Sequence, residues 1–386
     1  MSQKHNIIEC ENITSIIPMN IILSGGDIRQ YGGGEKEVLN IYTTFGPKTL
    51  ILSPNLKKGH RIADETLSTN VRYYKSIPVF GGKSILPIGL LSHKMLIKLK
   101  SADTIASFQV NAVTIIILVL LSRISRVKVL LFLHDPIFFN PGKGLLERVY
   151  KYIQMQFVIR IRNVHVELRF EEVYLRSFSY KGSVFQFPMY FPFRDYRPEA
   201  VPQSKFKILF VGRLNVYQKG LDILSQVIKD VLKMVGDIEF HIVGSGEDGE
   251  PLMIQLQDEF PYNVIWRRFV SENDLVEELK SSSLFVFPSR FETLGLSMLE
   301  ALSFGTCIIA FDLPTVREIS EVGEVVSVKC FDTKAFVSAV ISQYMKWKVD
   351  AILYQNKRLE KAEIFKTKFN EMKLRTQITN MIENLS

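Results

Sequence analysis

Cysteine is scarce in this chain of 386 residues: Cys10, Cys307 and Cys330 are widely spaced, with no CxxC or Cys/His pairing around them. That pattern excludes a disulfide framework and a zinc site, and makes a reducing cytoplasm the expected compartment. Long apolar runs are also lacking. The longest, residues 112–121, falls well short of the ~20 residues needed to span a bilayer and ends at Ser122-Arg123, so it reads as a buried helix. No secretory leader is expected, because Ile7-Ile8 is followed at once by Glu9 and Glu11. There is no DxD-type metal motif and no low-complexity tract.

What the chain does have is length, charge and pattern. Its length exceeds one typical core and points to two domains, each large enough to be stable alone. The net charge of +8 belongs to one half: residues 1–198 carry 26 Lys and Arg against 14 Asp and Glu, the remainder 22 against 26. Basic residues interleaved with aromatics, from Arg160 to Arg176 and from Arg194 to Arg197, could face nucleic acid, anionic lipid or water alone. Of these, nucleic acid is not an expected partner.

Short apolar runs alternate with helical stretches. In the first half, residues 16–23, 49–53, 103–108, 127–133 and 164–168 read as buried strands, and residues 35–42, 86–99, 111–124, 145–158 and 171–177 as helices. Such alternation predicts a doubly wound α/β sheet whose ligands bind at the carboxyl ends of its strands. His134 stands at one such end, either as a satisfied structural histidine or as a site residue. Gly32-Gly33-Gly34 before a helix is a weak signal for amides that meet phosphate or a sugar ring. The aromatic, proline-broken stretch 185–198 is the expected interdomain linker.

The second half restarts the alternation. Residues 207–211 are an expected strand ending in Gly212-Arg213-Leu214, followed by Lys219-Gly220 and a helix from Leu221. An arginine grips two phosphate oxygens in a fork and a lysine adds a point charge, so Arg213 and Lys219 together suit a diphosphate. After the next strand, residues 239–243, Gly244-Ser245-Gly246-Glu247-Asp248-Gly249 matches GxGxxG. Dinucleotide binding is disfavoured: Glu247 and Asp248 would oppose a pyrophosphate, Pro251 interrupts the helix entry, and the strand is not the first of its domain. Strands at 265–270, 284–287 and 306–310 and a helix at 273–280 capped by Ser271 complete the sheet, with charged helices at 334–353 and 356–382.

The densest signal is Glu292-Thr293-Leu294-Gly295-Leu296, between a strand stopped by Pro288 and a helix containing Glu300. Glu292 falls in the loop. Glu300 sits in a helix so apolar that a carboxylate there needs a partner, and a pair of sugar hydroxyls would serve. Gly295 lets the backbone approach a ligand, and the open amides of the first turn favour phosphate. Ordinary solvated charge is the alternative for both glutamates.

In this order, Phe210-Val211-Gly212-Arg213-Leu214, Lys219-Gly220-Leu221-Asp222, Ile242-Val243-Gly244-Ser245-Gly246, Pro288-Ser289 and the frame from Glu292 to Glu300 resemble retaining glycosyltransferases of family four, which have the GT-B fold. The likeness is strong from Lys207 to about Glu318 and looser at Gly32-Gly33-Gly34-Glu35, Asp103 and His134-Asp135. It implies two Rossmann-like, doubly wound domains facing across a cleft. Residues 1–198 would form the acceptor-side domain, residues 199–365 the nucleotide-sugar domain, and residues 366–386 a helix packing back on the first. It further implies that Arg213 and Lys219 hold the donor diphosphate, Glu300 the ribose, and Glu292 with Thr293, Leu294, Gly295 and Leu296 the donor sugar. Gly33 and Gly34 would face the phosphates from across the cleft, His134 would lie near the reacting centre, and Gly244 would be a turn beside the nucleotide. Many relatives read Glu-Gly-Phe-Gly where this chain has Glu292-Thr293-Leu294-Gly295, so sugar selectivity does not carry over.

The implied activity is transfer of a sugar from a nucleotide-diphosphate sugar to a hydroxyl of a glycan or lipid-linked acceptor, by same-face attack. Fixed cations would stabilise the leaving diphosphate, and no metal or other cofactor is expected. The alternatives are a GT-B nucleotide-sugar epimerase and a non-catalytic protein that binds nucleotide sugar or a membrane surface. The expected location is the cytoplasm, peripheral at its membrane face.

Overall fold

The computed structural model describes residues 20–24, 38, 41–46, 48–55, 70–79, 84–108, 111–134, 145–188, 205–369 and 371–385. Strands of the first unit are β1 (Asn20–Leu23), β2 (Thr49–Asn55), β3 (Val71–Lys75), a hairpin of β4 (Ile77–Val79) and β5 (Ser84–Leu86), then β6 (Thr104–Ser107), β7 (Lys128–Phe132), β8 (Asn163–Val166) and β9 (Ser183–Gln186). Seven of them form one parallel sheet in the order β3-β2-β1-β6-β7-β8-β9. Its central strands are continuous apolar runs because both faces are covered.

Alternate residues divide between two cores, as the two-residue strand period requires. Ile21, Leu23, Ile105, Val129 and Leu131 join Leu99 of α1 (His93–Lys100), Leu118 of α2 (Ala112–Ile124), Met155 of α3 (Leu145–Val158) and Leu175 of α4 (Arg169–Ser177). Ile22, Ile51, Ala106, Leu130 and Phe132 face the other way and meet Leu374, Ile378, Met381 and Leu385 from the far end of the chain. Three of these four apolar residues lie at helical spacing along one stripe of the terminal helix, Glu371–Glu383.

The second unit is a six-stranded parallel sheet built from β10 (Phe206–Val211), β11 (Ile238–Val243), β12 (Val264–Arg267), β13 (Leu284–Phe287), β14 (Cys307–Phe311) and β15 (Val325–Val328). Their order is β12-β11-β10-β13-β14-β15. The chain winds outward from β10 in one direction and then from β13 in the other, so a crevice opens between the carboxyl ends of these neighbours, where α/β sheets bind ligands. Helices α5 (Val216–Lys219), α6 (Leu221–Met234), α7 (Glu250–Glu259), α8 (Glu272–Ser281), α9 (Leu296–Ser303), α10 (Pro314–Ile319), α11 (Thr333–Val349) and α12 (Ala351–Lys368) connect and follow the strands, and α13 is the terminal helix.

Besides the β4–β5 hairpin, the two parallel sheets contain three strands that the apolar pattern did not reveal. β3 and β15 are partly exposed along their length, and β9 runs into the start of the stretch expected to be a linker. Each lies at a sheet edge, where one flank has no neighbouring strand and a continuous apolar run is not required. The helix expected over 86–99 is a strand end, a 3₁₀ turn over Ile88–Leu91, and α1, whose N-terminus is capped by Ser92. The two terminal helices are three: Asp350 accepts the Leu353 amide at 2.8 Å and starts α12, which ends at Lys368 within the stretch expected to be one helix. Gly33, Gly34, residues 16–19, most of the helix expected over 35–42, Asp135 and the linker from residue 189 lie outside the described residues. Among those described, no helix is long and apolar enough to cross a membrane.

Candidate active site

The site is assembled where the loop after β10 packs on the loop after β13. Asn215 caps the single turn of α5 by accepting the Gln218 amide at 2.7 Å, and α5 ends at Gly220 with φ +65°. A Cβ at Gly220 would lie 2.1 Å from the Pro288 carbonyl oxygen, so only glycine lets the two loops touch. Arg290 clamps them: it forks onto the Asp222 carboxylate at 2.8 and 2.6 Å, donates to the Tyr217 carbonyl at 3.0 Å, and its amide donates to the Gln218 carbonyl at 2.8 Å.

This packing brings Lys219 Nζ onto Glu292 Oε1, with side chains only 11% and 7% exposed. Ser289 Oγ donates to the same carboxylate oxygen at 3.2 Å, and Thr315 Oγ1 donates to the Glu292 carbonyl at 2.9 Å. The ammonium also lies 5.4 Å from the centre of the Phe287 ring. Both charges are thus held in place by protein. Arg213, in contrast, is exposed and makes no ion pair or hydrogen bond with the described residues.

Downstream, Thr293 and Leu294 are buried and Gly295, at φ +69°, opens α9 with Leu296 as its first residue. A Cβ on Gly295 would crowd Met298 Cε at 2.7 Å and Phe287 Cζ at 3.2 Å. Glu300, one of the few charged residues buried in the second unit, lies within α9 at 7% exposure. The glycines of the GxGxxG stretch face protein backbone. A Cβ would meet the Gly212 carbonyl oxygen 1.9 Å from Gly244, and the Leu214 carbonyl oxygen 2.6 and 2.5 Å from Gly246 and Gly249. The loop after β11 therefore lies flat on the Arg213 loop, joined by Gly212 N to Val243 O at 3.0 Å and Leu214 N to Ser245 O at 2.8 Å.

Across the crevice stands His134, at the carboxyl end of β7. Its Nε2 is 2.8 Å from His165 Nδ1, and its ring meets Phe108 and Phe132 edge-on. Burial, and secondarily His134, hold His165 well below the ordinary histidine pKa, so it is neutral at neutral pH. Glu171 is also buried. Desolvation pushes it up to about 7, against the Leu168 and Glu167 amides, which donate to its Oε2 at 3.0 and 2.7 Å, and against the field of His134. His165 and Glu171 were not among the residues singled out from sequence. His165 is a polar residue in an apolar strand, but its pairing follows from the register that sets it beside Phe132.

The two halves of the site touch directly: Thr293 Oγ1 donates to the His134 carbonyl at 3.3 Å. Nearby, the Glu318 carboxylate of α10 accepts the Arg169 and Phe170 amides at 2.8 and 2.7 Å, closing the N-terminus of α4 in the other unit. Lys219, Glu292, Thr293 and His134 are thus linked through contacts, with Arg213 on the loop leading to Lys219 and Gly295 opening the next helix.

Two parallel Rossmann-like units meeting at their strand ends are the GT-B architecture. Sucrose-phosphate synthase from Thermosynechococcus elongatus superposes with a TM-score of 0.70 at 17% identity, over 95% of this chain and 99% of that one. HepE from Anabaena, solved with UDP and glucose, gives 0.72 at 14% identity, over 95% and 100%. Residues 205–345 match the family model Glycosyl transferases group 1, so the second unit carries a domain of that family. Glycogen synthase from Thermosipho melanesiensis is 35% identical over 121 residues, 31% of this chain and 23% of that protein. Phosphatidyl-myo-inositol mannosyltransferase from Mycobacterium tuberculosis is 27% identical over 133 residues, 33% and 34% respectively. The matched segment spans about a quarter to a third of these curated relatives.

Proposed function

We propose that the protein is a retaining glycosyltransferase that moves a sugar from a nucleotide-diphosphate sugar to a hydroxyl of a glycan or lipid-linked acceptor. The observation that carries this reading is the Lys219–Glu292 pair at the β10/β13 crevice, with His134 opposite and Arg213 exposed alongside. As the bond from the anomeric carbon to the diphosphate breaks, negative charge grows on phosphate oxygens; Lys219, already fixed there, stabilises it without reorganising, and the exposed Arg213 forks onto those oxygens once the donor is bound. The amides opening α9 add partial positive charge. Glu300 accepts from the ribose hydroxyls, and the Glu292–Leu296 loop holds the sugar. The acceptor oxygen attacks from the face the diphosphate leaves, and the departing phosphate takes its proton, so no metal is needed. The glycogen synthase and mannosyltransferase likenesses, and UDP in the HepE structure, support this donor class. The basic first unit would meet the acceptor, at an anionic membrane surface on the cytoplasmic side where that acceptor is lipid-linked.

Incubation with a panel of nucleotide sugars and acceptors, followed by nucleoside diphosphate release and the anomeric configuration of the product, tests the proposal. Release with retention, undiminished by a chelator, is expected. An epimer formed without acceptor would replace transfer with epimerisation. No release with any pair would leave a binding protein, and an inverted anomer would remove the same-face step.

A further inference from the structure

We infer that the first unit carries a second anion site, remote from the crevice, that binds a compact ligand bearing more than one phosphate group. The site is a depression of about 650 Å³ at the amino ends of β7, β8 and β9. Six cations line it: Arg123, Arg126, Lys128, Arg160, Arg162 and Lys181. All six are exposed; among the described residues no carboxylate lines the depression with them, and none of the six forms an ion pair. Asp103, whose carbonyl accepts the Lys128 amide at 2.9 Å, does not line the depression.

Like charges gathered in one concavity repel one another and disfavour the compact state. A solvated face would spread them and intersperse acids, as the rest of the chain does. A polyanion removes the repulsion. Several arginines in one concave site can each fork onto phosphate oxygens, which gives strength and direction together.

The turn that carries Lys181 at the edge of the depression is held by hydrogen bonds. Tyr180, 3% exposed, places its hydroxyl 2.9 and 3.1 Å from the Arg162 and Ser183 carbonyl oxygens. Arg176 donates to the Tyr180 and Gly182 carbonyls at 3.1 and 3.0 Å. Ser179 adopts φ +62°, and a Cβ on Gly182 would fall 2.3 Å from the Tyr180 hydroxyl, so the turn carrying Lys181 is tightly specified. The crevice lies at the opposite ends of the same strands. β7 and the two residues after it separate Lys128 from His134 by about 20 Å, at roughly 3.3 Å per residue. Among the described residues no aromatic side chain lines the depression to stack a base, which favours a small polyphosphate or a phosphorylated headgroup over nucleic acid.

The inference does not depend on glycosyl transfer, because its readout is binding. Inorganic tripolyphosphate is titrated calorimetrically into the full chain carrying Arg213→Ala and Lys219→Ala, which silences the crevice. Binding is expected to persist there and to weaken roughly 10-fold or more when Arg126→Glu, Lys128→Glu and Arg162→Glu are added. These side chains are exposed and repel one another, so the reversed variant should unfold at no lower a temperature than its parent. In a second arm, both proteins are sedimented with phosphatidylcholine vesicles with and without a phosphatidylinositol whose headgroup carries additional phosphate groups. Charge-sensitive sedimentation on the phosphorylated phosphatidylinositol without tripolyphosphate binding assigns a lipid headgroup, and the reverse assigns a free phosphate compound. Equal binding by both proteins, binding of neither probe, or a preference for single-stranded RNA over tripolyphosphate overturns the inference.

Discussion

A lysine and a glutamate, each nearly buried, set the character of the crevice. Their burial makes the pair costly to break, because removing one partner leaves the other as an uncompensated charge. Glu292→Gln should lower unfolding stability by about 3 kcal/mol in urea titration, whereas breaking the solvent-exposed Arg317–Asp312 pair should leave the midpoint nearly unmoved. Arg213→Ala and Lys219→Ala should each reduce kcat/KM by roughly 10²-fold, the scale for a lost transition-state donor. Unchanged turnover with an active donor pair would remove the phosphate role. Glu171 has a pH signature of its own. With its folded pKa raised from 4.5 to about 7, the folded state holds the extra proton between those values. Its contribution to stability is therefore full below pH 4.5 and is lost as pH rises through 7. Glu171→Gln, which mimics the protonated form, should abolish that decline, and denaturation midpoints collected across this window would show it.

Loops and strand ends depend on glycine where two backbones meet. Gly46 and Gly220 both have positive φ, yet a Cβ meets nothing within 4 Å at Gly46 and a carbonyl at 2.1 Å at Gly220. Gly46→Ala should cost only the conformational penalty, about 1 kcal/mol. Gly220→Ala should cost clearly more and also raise the donor KM, because the clash pushes apart the loops that hold Lys219 and Glu292. Equal losses of thermal stability, with donor KM unmoved, would contradict this account. The same local view explains which elements were legible in the chain. The central strands, α2 and α3 announce themselves by continuous or helical apolar patterns, whereas β3, β9 and β15 sit at sheet edges with mixed burial. Likewise, the glycines of the GxGxxG stretch take their meaning from the carbonyls of Gly212 and Leu214, which the sequence pattern cannot place.

At the scale of the molecule, the units are joined by more than the crevice. Leu168 of the first unit is buried in the core of the second, and Glu318 caps α4 across the junction. Glu318→Ala removes the acceptor for two amides of α4. It should loosen the junction, seen as a larger radius of gyration in small-angle scattering and a lower kcat with little change in the core of either unit. Two parallel sheets, the loop positions of Arg213, Lys219, Glu292 and Gly295, and the apolar helix around Glu300 could be read from the chain, because each is a local matter of apolar period, strand end or turn chemistry. Tertiary structure alone decided that Lys219 and Glu292, 73 residues apart, form one buried pair. It likewise joined His134 to His165 across 31 residues and Glu318 to Arg169 across 149. The physical reason is that strand order and register bring these side chains together, and neither is encoded in any local stretch of residues.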